Sequence, residues 1–243
     1  MTELMRRRRA LMGVGGGSPY EHGTWDDLFF CIDNGTYATD YALGEILPLD
    51  LGTEGVVNAQ IVAFDTDTKT GGGLAPVTFI SQYLLETTKR FNPQLAGASG
   101  NRTVGTGTIG GWANCELRSY IQNTIAPLVP SVVSRRIVSV EKATRIYDST
   151  ETVQTNDMTS DMLWIPSRDE YFQTTFEGTN AVRYTYLSTR DSRKKSKPGS
   201  TFGYHRLRTA NSTTNTQMCS GGGDGDSLTV ITAYAFCIGF CVG

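Results

Sequence analysis

The chain has 243 residues, a formal net charge of −2 and 39% hydrophobic residues, enough for one large domain with a real core, with or without an arm. Charged residues make up only 19%, against roughly 25% in typical soluble domains; polarity comes instead from Thr and 27 Gly, a mix suited to strands and turns rather than a helical bundle. The near-neutral balance excludes a global basic field for nucleic acid, aromatic content argues against general disorder, and no apolar run reaches the ~18 residues of a membrane helix.

The first 18 residues read as an arm. Arg6, Arg7, Arg8 and Arg9 are followed only by Ala10-Leu11-Met12 before Gly13 and Gly15-Gly16-Gly17 intervene, so the apolar stretch is too short for a secretion signal. Such an arm is either solvated or ordered on an acidic surface of a larger assembly. Four arginines alone are a weak signal for nucleic acid. Residues 19–40 hold Tyr20, Trp25, Leu28, Phe29, Phe30 and Tyr37, too aromatic for a linker. This segment is expected to pack on its own domain or on a neighbouring subunit. Trp25, Phe29 and Phe30, with the four arginines, are the candidate attachment residues. The expected division is residues 1–40 for the arm and attachment segment, and 41–243 for the domain.

Residues 44–51 and 56–64 predict a hairpin around Gly52-Thr53-Glu54-Gly55. Val57, Ala59, Ile61 and Ala63 alternate with Asn58, Gln60 and Val62, a half-buried pattern. Residues 65–73 then form a loop. Ile80, Tyr83, Leu84 and Phe91 are spaced for a helix over 80–91. A second helix is predicted from Asn114, as cap, to Ile125, with Pro127 as stop. Residues 96–111 read as an irregular loop. Residues 132–143 read as a strand, or a short helix followed by a strand, and 147–161 as a polar loop. Residues 162–166 form a short buried strand. Ser167 and Glu170 form a capping-box pattern at a turn of helix. The charged run 177–197 reads as a solvated loop, with a binding patch as the alternative. Residues 229–242 return to apolar alternation and predict a terminal strand woven into the core.

The chemistry-bearing residues are few. Cys31, Cys115, Cys219, Cys237 and Cys241 are odd in number and irregularly spaced, which suits buried reduced thiols better than a disulfide framework. Cys237 and Cys241, if on one strand, would lie ~13 Å apart on the same side, too far to share a bond or a metal. The pairs Asp65/Asp67 and Asp224/Asp226 supply too few oxygens for calcium. His22 and His205 stand outside any metal or triad motif, and Gly221–Gly225 lacks the Lys and helix of a phosphate loop. His205 is expected to serve packing or a surface hydrogen bond, Trp112 and Trp164 the core, and Arg118 and Arg208 internal hydrogen bonds. Asn211, Ser212, Thr213, Thr214, Asn215 and Gln217 offer adaptable hydrogen bonding, and Tyr204 and Tyr184 stacking rings. They form the candidate ligand-binding face, with ordinary turn formation as the alternative for the polar run.

The ordered segments Gly-Glu-Ile-Leu-Pro-Leu (44–49), Val-Asn-Ala-Gln-Ile-Val-Ala-Phe-Asp (57–65), Gly-Gly-Trp-Ala-Asn-Cys-Glu-Leu-Arg-Ser-Tyr-Ile (110–121), Asp-Met-Leu-Trp-Ile-Pro-Ser-Arg-Asp-Glu (161–170) and Tyr-His-Arg-Leu-Arg-Thr-Ala (204–210) resemble an uncharacterised domain-of-unknown-function family of gut bacteria and their phages. The chain departs from that pattern at Cys115 and around Tyr204–Arg208. The family is similar to C-type-lectin-like domains. The resemblance implies an α+β fold with a mixed, mostly antiparallel sheet, two main helices and long loops after an N-terminal arm. It implies a non-catalytic phage virion protein at a tail tip, tail fibre or head fibre, with other virion proteins, further copies of itself (a trimer among the options) and a host surface glycan or protein as partners. No cofactor, metal or membrane insertion is expected. The alternatives are a decoration or assembly protein without a receptor and, third, an enzyme of the formylglycine-generating type.

Overall fold

The computed structural model describes residues 18–96 and 103–243. The four arginines of the arm lie outside the described residues. The aromatic segment after it folds as helix α1 (Trp25–Asp33). The Thr24 hydroxyl caps it by accepting from the Asp27 amide at 3.2 Å, and Asp26 and Asp27 occupy the first turn, where the helix's positive end favours carboxylates. Trp25, Leu28, Phe29 and Cys31 are buried. The Trp25 ring lies 5.4 Å from Phe79 and 6.3 Å from Phe240 between centroids, and its Nε1 donates to Pro48 O at 2.8 Å. The segment therefore packs on its own domain. Trp25 and Phe29 are spent on the internal core rather than presented for attachment; Phe30 is half-buried, its ring 6.2 Å from that of exposed Tyr20. A division at residue 40 cuts through this packed unit.

The fold is mixed α+β with mostly antiparallel sheets and short helices. The largest sheet runs β1 (Ile46–Leu47), β2 (Ala59–Phe64), β3 (Val77–Ser81), β11 (Gly239–Val242) and β4 (Ile137–Val138), with β7 (Leu163–Trp164) also on β11. The terminal strand is the centre of this sheet: Phe240 and Val242 pair with Phe79 and Val77 on one edge, while β7 and β4 share the other. Both faces of the sheet are covered. Val77 and Phe79 face the larger apolar cluster, with α1, Trp112, Ile121 and Phe236; Ile80, Val62 and Ala63 face a second one with Leu84, Tyr171, Tyr184, Leu187 and Leu207. A strand covered on both sides carries a continuous apolar run, which is why every residue of β3 is buried.

This arrangement overturns the helix expected over 80–91. Ile80 and Ser81 belong to β3, and the amides that follow reach distant partners instead of their own turn. Gln82 N donates to Asn58 O, Leu84 N to Ser196 O, Leu85 N to Phe236 O and Phe91 N to Val230 O. The helix expected over 114–125 is shorter and irregular. Helix α3 (Glu116–Tyr120), preceded by the one-turn α2 (Tyr37–Asp40), continues as a wider π turn over Ile121–Ile125. Its cap is Cys115, whose Sγ accepts from Arg118 N at 3.3 Å, rather than Asn114. The short helix before a strand is present as α4 (Ser131–Ser134), β4 and β5 (Val140–Tyr147). The polar stretch after Tyr147 is not a loop but strand β6 (Val153–Asp161), paired along β5; its sequence looked loop-like because most of its side chains stay exposed or half-exposed.

A second, three-stranded sheet packs under these elements: β8 (His205–Ala210), β9 (Asn215–Cys219) and β10 (Gly225–Thr229), in the order β10-β9-β8. The charged run 177–197 is likewise no solvated loop. It includes the one-turn helix α6 (Arg190–Arg193), which follows helix α5 (Arg168–Phe172) in the chain. Tyr184 and Leu187 fill the second apolar cluster, and Arg193 is buried, donating to Gly223 O, Leu187 O and Ser188 O at 2.8–3.0 Å. Lys195 is buried too, with Nζ 3.4 Å from Gln60 Oε1.

Candidate functional site

The capping box read from the sequence is present. The Ser167 hydroxyl accepts from Glu170 N at 3.2 Å and Glu170 Oε2 accepts from Ser167 N at 2.8 Å, starting α5. Glu170 does more than cap. Both its oxygens take the Arg208 fork, at 2.7 and 3.0 Å, and Oε1 also takes Lys142 Nζ at 3.1 Å. Arg208 further donates to Ile165 O, Ala143 O and Thr144 Oγ1. Burial pushes the Glu170 carboxyl up, but the two cations outweigh it and hold the group at about 2. Lys142 completes the cluster through Asp67, the Tyr184 hydroxyl at 2.7 Å and the Trp164 ring at 3.8 Å. These buried charges are all paired, which is what burial demands of them. They form a clamp between β5, α5 and β8.

Next to Glu170 in the chain, Asp169 exchanges backbone-to-carboxylate bonds with Glu177: Asp169 N donates to Glu177 Oε2 at 3.0 Å and Glu177 N to Asp169 Oδ2 at 2.8 Å. Thr209 bonds Glu177 and also accepts from Arg168 N at 2.7 Å. Burial, reinforced by the Asp169 carboxylate, pushes the Glu177 carboxyl up to about 8. The clamp and this carboxyl pair fix the N-terminus of α5 against β8, and so fix Arg168.

Arg168 forms one wall of a groove of about 220 Å³, completed by Asn211, Gln217, Gly225, Asp226 and Ser227. Its Nη1 donates to Gln217 Oε1 at 2.6 Å and its guanidinium lies 4.3 Å from the Phe176 ring. Gln217 in turn bonds Asn211 through its amide nitrogen, and the Asn211 carbonyl accepts from the Tyr147 hydroxyl at 3.2 Å. The antiparallel register sets Gln217 opposite Ser227 on the β9–β10 hairpin. Gly225 forms the floor: a Cβ there would stand 3.6 Å from Phe172 ring atoms and 3.8 Å from Arg168 Nη1, ordinary contact distances. Asp226 is exposed, one carboxylate oxygen accepting from Ser227 N at 2.7 Å. The arrangement is a set of donors and acceptors of both charges held in place by their own partners, suited to binding and orienting a ligand.

Of the residues singled out in the sequence, Asn211 and Gln217 reach this groove. Ser212, Thr213, Thr214 and Asn215 build the β8–β9 turn instead. The Ser212 hydroxyl accepts from the amides of Thr214 and Asn215, and the Ser212 and Thr213 carbonyls accept from Thr108. Tyr204 is exposed and does not line the groove. Residue type alone does not group Arg168, Gly225, Asp226 and Ser227 as a site: Arg168 belongs to a helix start, Gly225 to a glycine-rich loop and Asp226 to an acidic pair, and Ser227 carries no signal of its own. Only the hairpin register and the capping box together place them side by side. The acidic pairs diverge. Asp65 accepts from the Tyr37 hydroxyl at 2.6 Å while Asp67 lies inside with Lys142; Asp224 pairs with Arg190 at 2.8 Å.

A second cavity of about 210 Å³ lies among Gln60, Tyr83, Tyr186, Lys195, Ser196 and Phe202. His205 is near it in sequence but fully buried, its ring centroid 5.5 Å from that of Tyr171; burial, then nearby Lys195, drives it down to about 3. It serves packing as a neutral ring. All five cysteines are buried thiols outside any disulfide. Cys237 and Cys241 are not on one strand: Cys237 precedes β11 and contacts the Tyr171 hydroxyl, whereas Cys241 lies on β11 and contacts Thr78. Trp112 and Trp164 are core residues as expected, and Arg118 bonds Asp161 at 2.7 Å.

Neither the curated proteins nor the solved structures contain a match to this chain. A protein family described as a domain of unknown function (DUF6273) matches residues 78–237. The matched stretch runs from β3 to the residues before β11 and includes Arg168, the groove hairpin and the Arg208–Glu170 clamp. It covers more than half of the chain, so this protein belongs to the DUF6273 family.

Proposed function

We propose that this chain is a non-catalytic phage virion protein with a C-type-lectin-like domain. Its basic arm attaches it to the particle, and the loops at its C-terminal hairpin recognise a glycan or protein on the host surface. The observation that carries the recognition part is the groove at Arg168, Asn211, Gln217 and Asp226, a polar rim on a locked frame. Rim groups held by partners on the protein lose little freedom on binding, which is the advantage of a preorganised site. The pairing of the hairpin with β8, which the Arg208–Glu170 clamp holds against α5, supports the same reading, because it gives the hairpin a fixed base.

Adhesion of the full chain to host cells tests this. Replacing Asn211 with Ala, or Gly225 with Ala, is expected to lower adhesion without unfolding the protein; equal adhesion overturns the site. Removing residues 1–17 is expected to abolish incorporation into particles while adhesion persists. The assembly reading without a receptor draws on a different observation. Leu43, Ile46 and Val56 are exposed beside β1, the edge of the main sheet, and edge strands with apolar side chains invite pairing. Loss of incorporation on Ile46→Lys, with adhesion absent from the unaltered chain, favours that reading.

A further inference from the structure

We propose that the buried Lys142 and Asp67 side chains condense into an amide cross-link within the folded chain, with Glu170 as the proton carrier. Lys142 Nζ contacts Asp67 Oδ1 directly and lies 3.1 Å from Glu170 Oε1. All three side chains belong to residues at most 1% exposed, and the Trp164 ring covers the amine, its centroid 3.8 Å from Nζ. The backbone around the two reactants is paired as well: Glu141 N donates to Thr68 O at 2.8 Å, and Lys69 forms a bridge with Val140. An amine and a carboxyl fixed in contact react as parts of one molecule, with effective concentrations of ~10⁵ M or more for well-oriented groups. The shell around them is dry, so water does not compete for the carbonyl carbon.

The reaction is a condensation and needs no oxidant or cofactor. Asp67 and Glu170 outweigh burial and keep the Lys142 ammonium charged at rest. The first step is therefore proton transfer from Nζ to Asp67 Oδ1, which sets an amine beside a carboxylic acid. Nζ then attacks Asp67 Cγ. Negative charge develops on Oδ2, which already accepts from the Thr78 hydroxyl at 2.6 Å and the Tyr184 hydroxyl at 3.0 Å; donors aimed at a developing oxyanion lower the barrier. Glu170 takes the second proton from the nitrogen, and that proton passes to Oδ1 as the Cγ–Oδ1 bond breaks and one water leaves. Charge supplies the drive. The cluster holds two cations, Lys142 and Arg208, and two carboxylates, Asp67 and Glu170. Condensation removes one of each and leaves Glu170 with the Arg208 fork at 2.7 and 3.0 Å, so two costly buried charges vanish and the rest stay paired. The amide ties the connection between β2 and β3 to β5, across 75 positions of the chain.

Mass spectrometry of the full chain, folded, then reduced and denatured, tests the cross-link. The expected mass is one water below that of the sequence, and a protease digest yields a branched peptide joining Asp67 to Lys142. Lys142→Arg and Asp67→Ala are expected to keep the full mass. Timed from cell-free synthesis, Glu170→Gln is expected to lose the water at least about tenfold more slowly, the loss of a positioned general acid–base. The full sequence mass in the folded parent chain overturns the proposal. So does a water deficit that persists in Lys142→Arg or maps to another pair of residues. A folded Glu170→Gln that matches the parent's rate overturns the part given to Glu170. Where a variant fails to fold, the parent's mass and branched peptide decide alone, and neither depends on what the groove binds.

Discussion

Arg208 is the most consequential side chain of the clamp. It is 2% exposed and donates five hydrogen bonds, two of them to Glu170. Arg208→Met keeps an unbranched apolar stem but removes the guanidinium, leaving Glu170 with Lys142 and the Ser167 amide. Stripping one partner from a buried ion pair costs about 3–5 kcal/mol, so ~4 kcal/mol is the central expectation. In a domain of this size each kcal/mol lowers Tm by roughly 2–4 °C, which gives a drop of about 8–16 °C. Thermal and urea unfolding at neutral pH, followed by circular dichroism, measure it. Arg208→Lys keeps the charge but not the fork and is expected to fall in between. Adding Glu170→Gln to Arg208→Met removes the stranded carboxylate, so the double variant should be more stable than the sum of the single losses by at least ~1 kcal/mol. A loss below ~1 kcal/mol for Arg208→Met, or strict additivity in the cycle, refutes the argument that this pair clamps the fold.

Glu177 predicts a pH dependence of the opposite sense to ordinary acid unfolding. Its carboxyl rises from 4.5 to about 8 on folding, so between those values the folded state holds the extra proton and stability falls as pH rises, levelling off above about 8; Glu177→Gln should flatten urea midpoints across that window, and an unchanged slope rejects the assignment. Gly239 sits on β11 where a Cβ would stand 2.7 Å from Trp164 Nε1 and 2.8 Å from Cε2. Gly239→Ala is expected to cost about 1–3 kcal/mol or more by overpacking, whereas Gly71→Ala, with nothing within 4 Å, should leave the unfolding midpoint in place; equal midpoints for the two would refute the packing of β11 on Trp164. Burial pushes the Cys31, Cys115 and Cys219 thiols up to about 11, 12 and 12, so a disulfide reagent should label the native protein only as fast as it unfolds; stoichiometric labelling of the folded chain within minutes would contradict this.

How legible the fold was depended on where each residue's partners lie in the chain. The Ser167–Glu170 box, the hairpin around residues 52–55 and the buried Trp112 and Trp164 were readable because their causes are local: a cap, a turn, an apolar run. Residues 80–91 misled because Ile80, Tyr83, Leu84 and Phe91 imitate helical spacing. The amides of Gln82, Leu84, Leu85 and Phe91 are satisfied by the carbonyls of Asn58, Ser196, Phe236 and Val230, all but the first more than a hundred positions away. Strand β6 misled in the other direction, since a polar strand exposed on one face looks like a loop until its partner β5 is known.

The candidate site divides the same way. Asn211 and Gln217 could be picked out by residue type, while Arg168, Gly225, Asp226 and Ser227 could not. What the amino-acid order determined alone was composition-level character: a strand-rich domain, apolar terminal residues destined for the core, reduced cysteines and a polar segment before the last strand. Only the tertiary structure decided that the charged run 177–197 turns inward, that α1 belongs to the core, and that a helix start meets a distant hairpin to form a groove. Local chemistry sets what each segment can do, but a groove is made by long-range register and by buried ion pairs, and their partners are separated along the chain by dozens of residues.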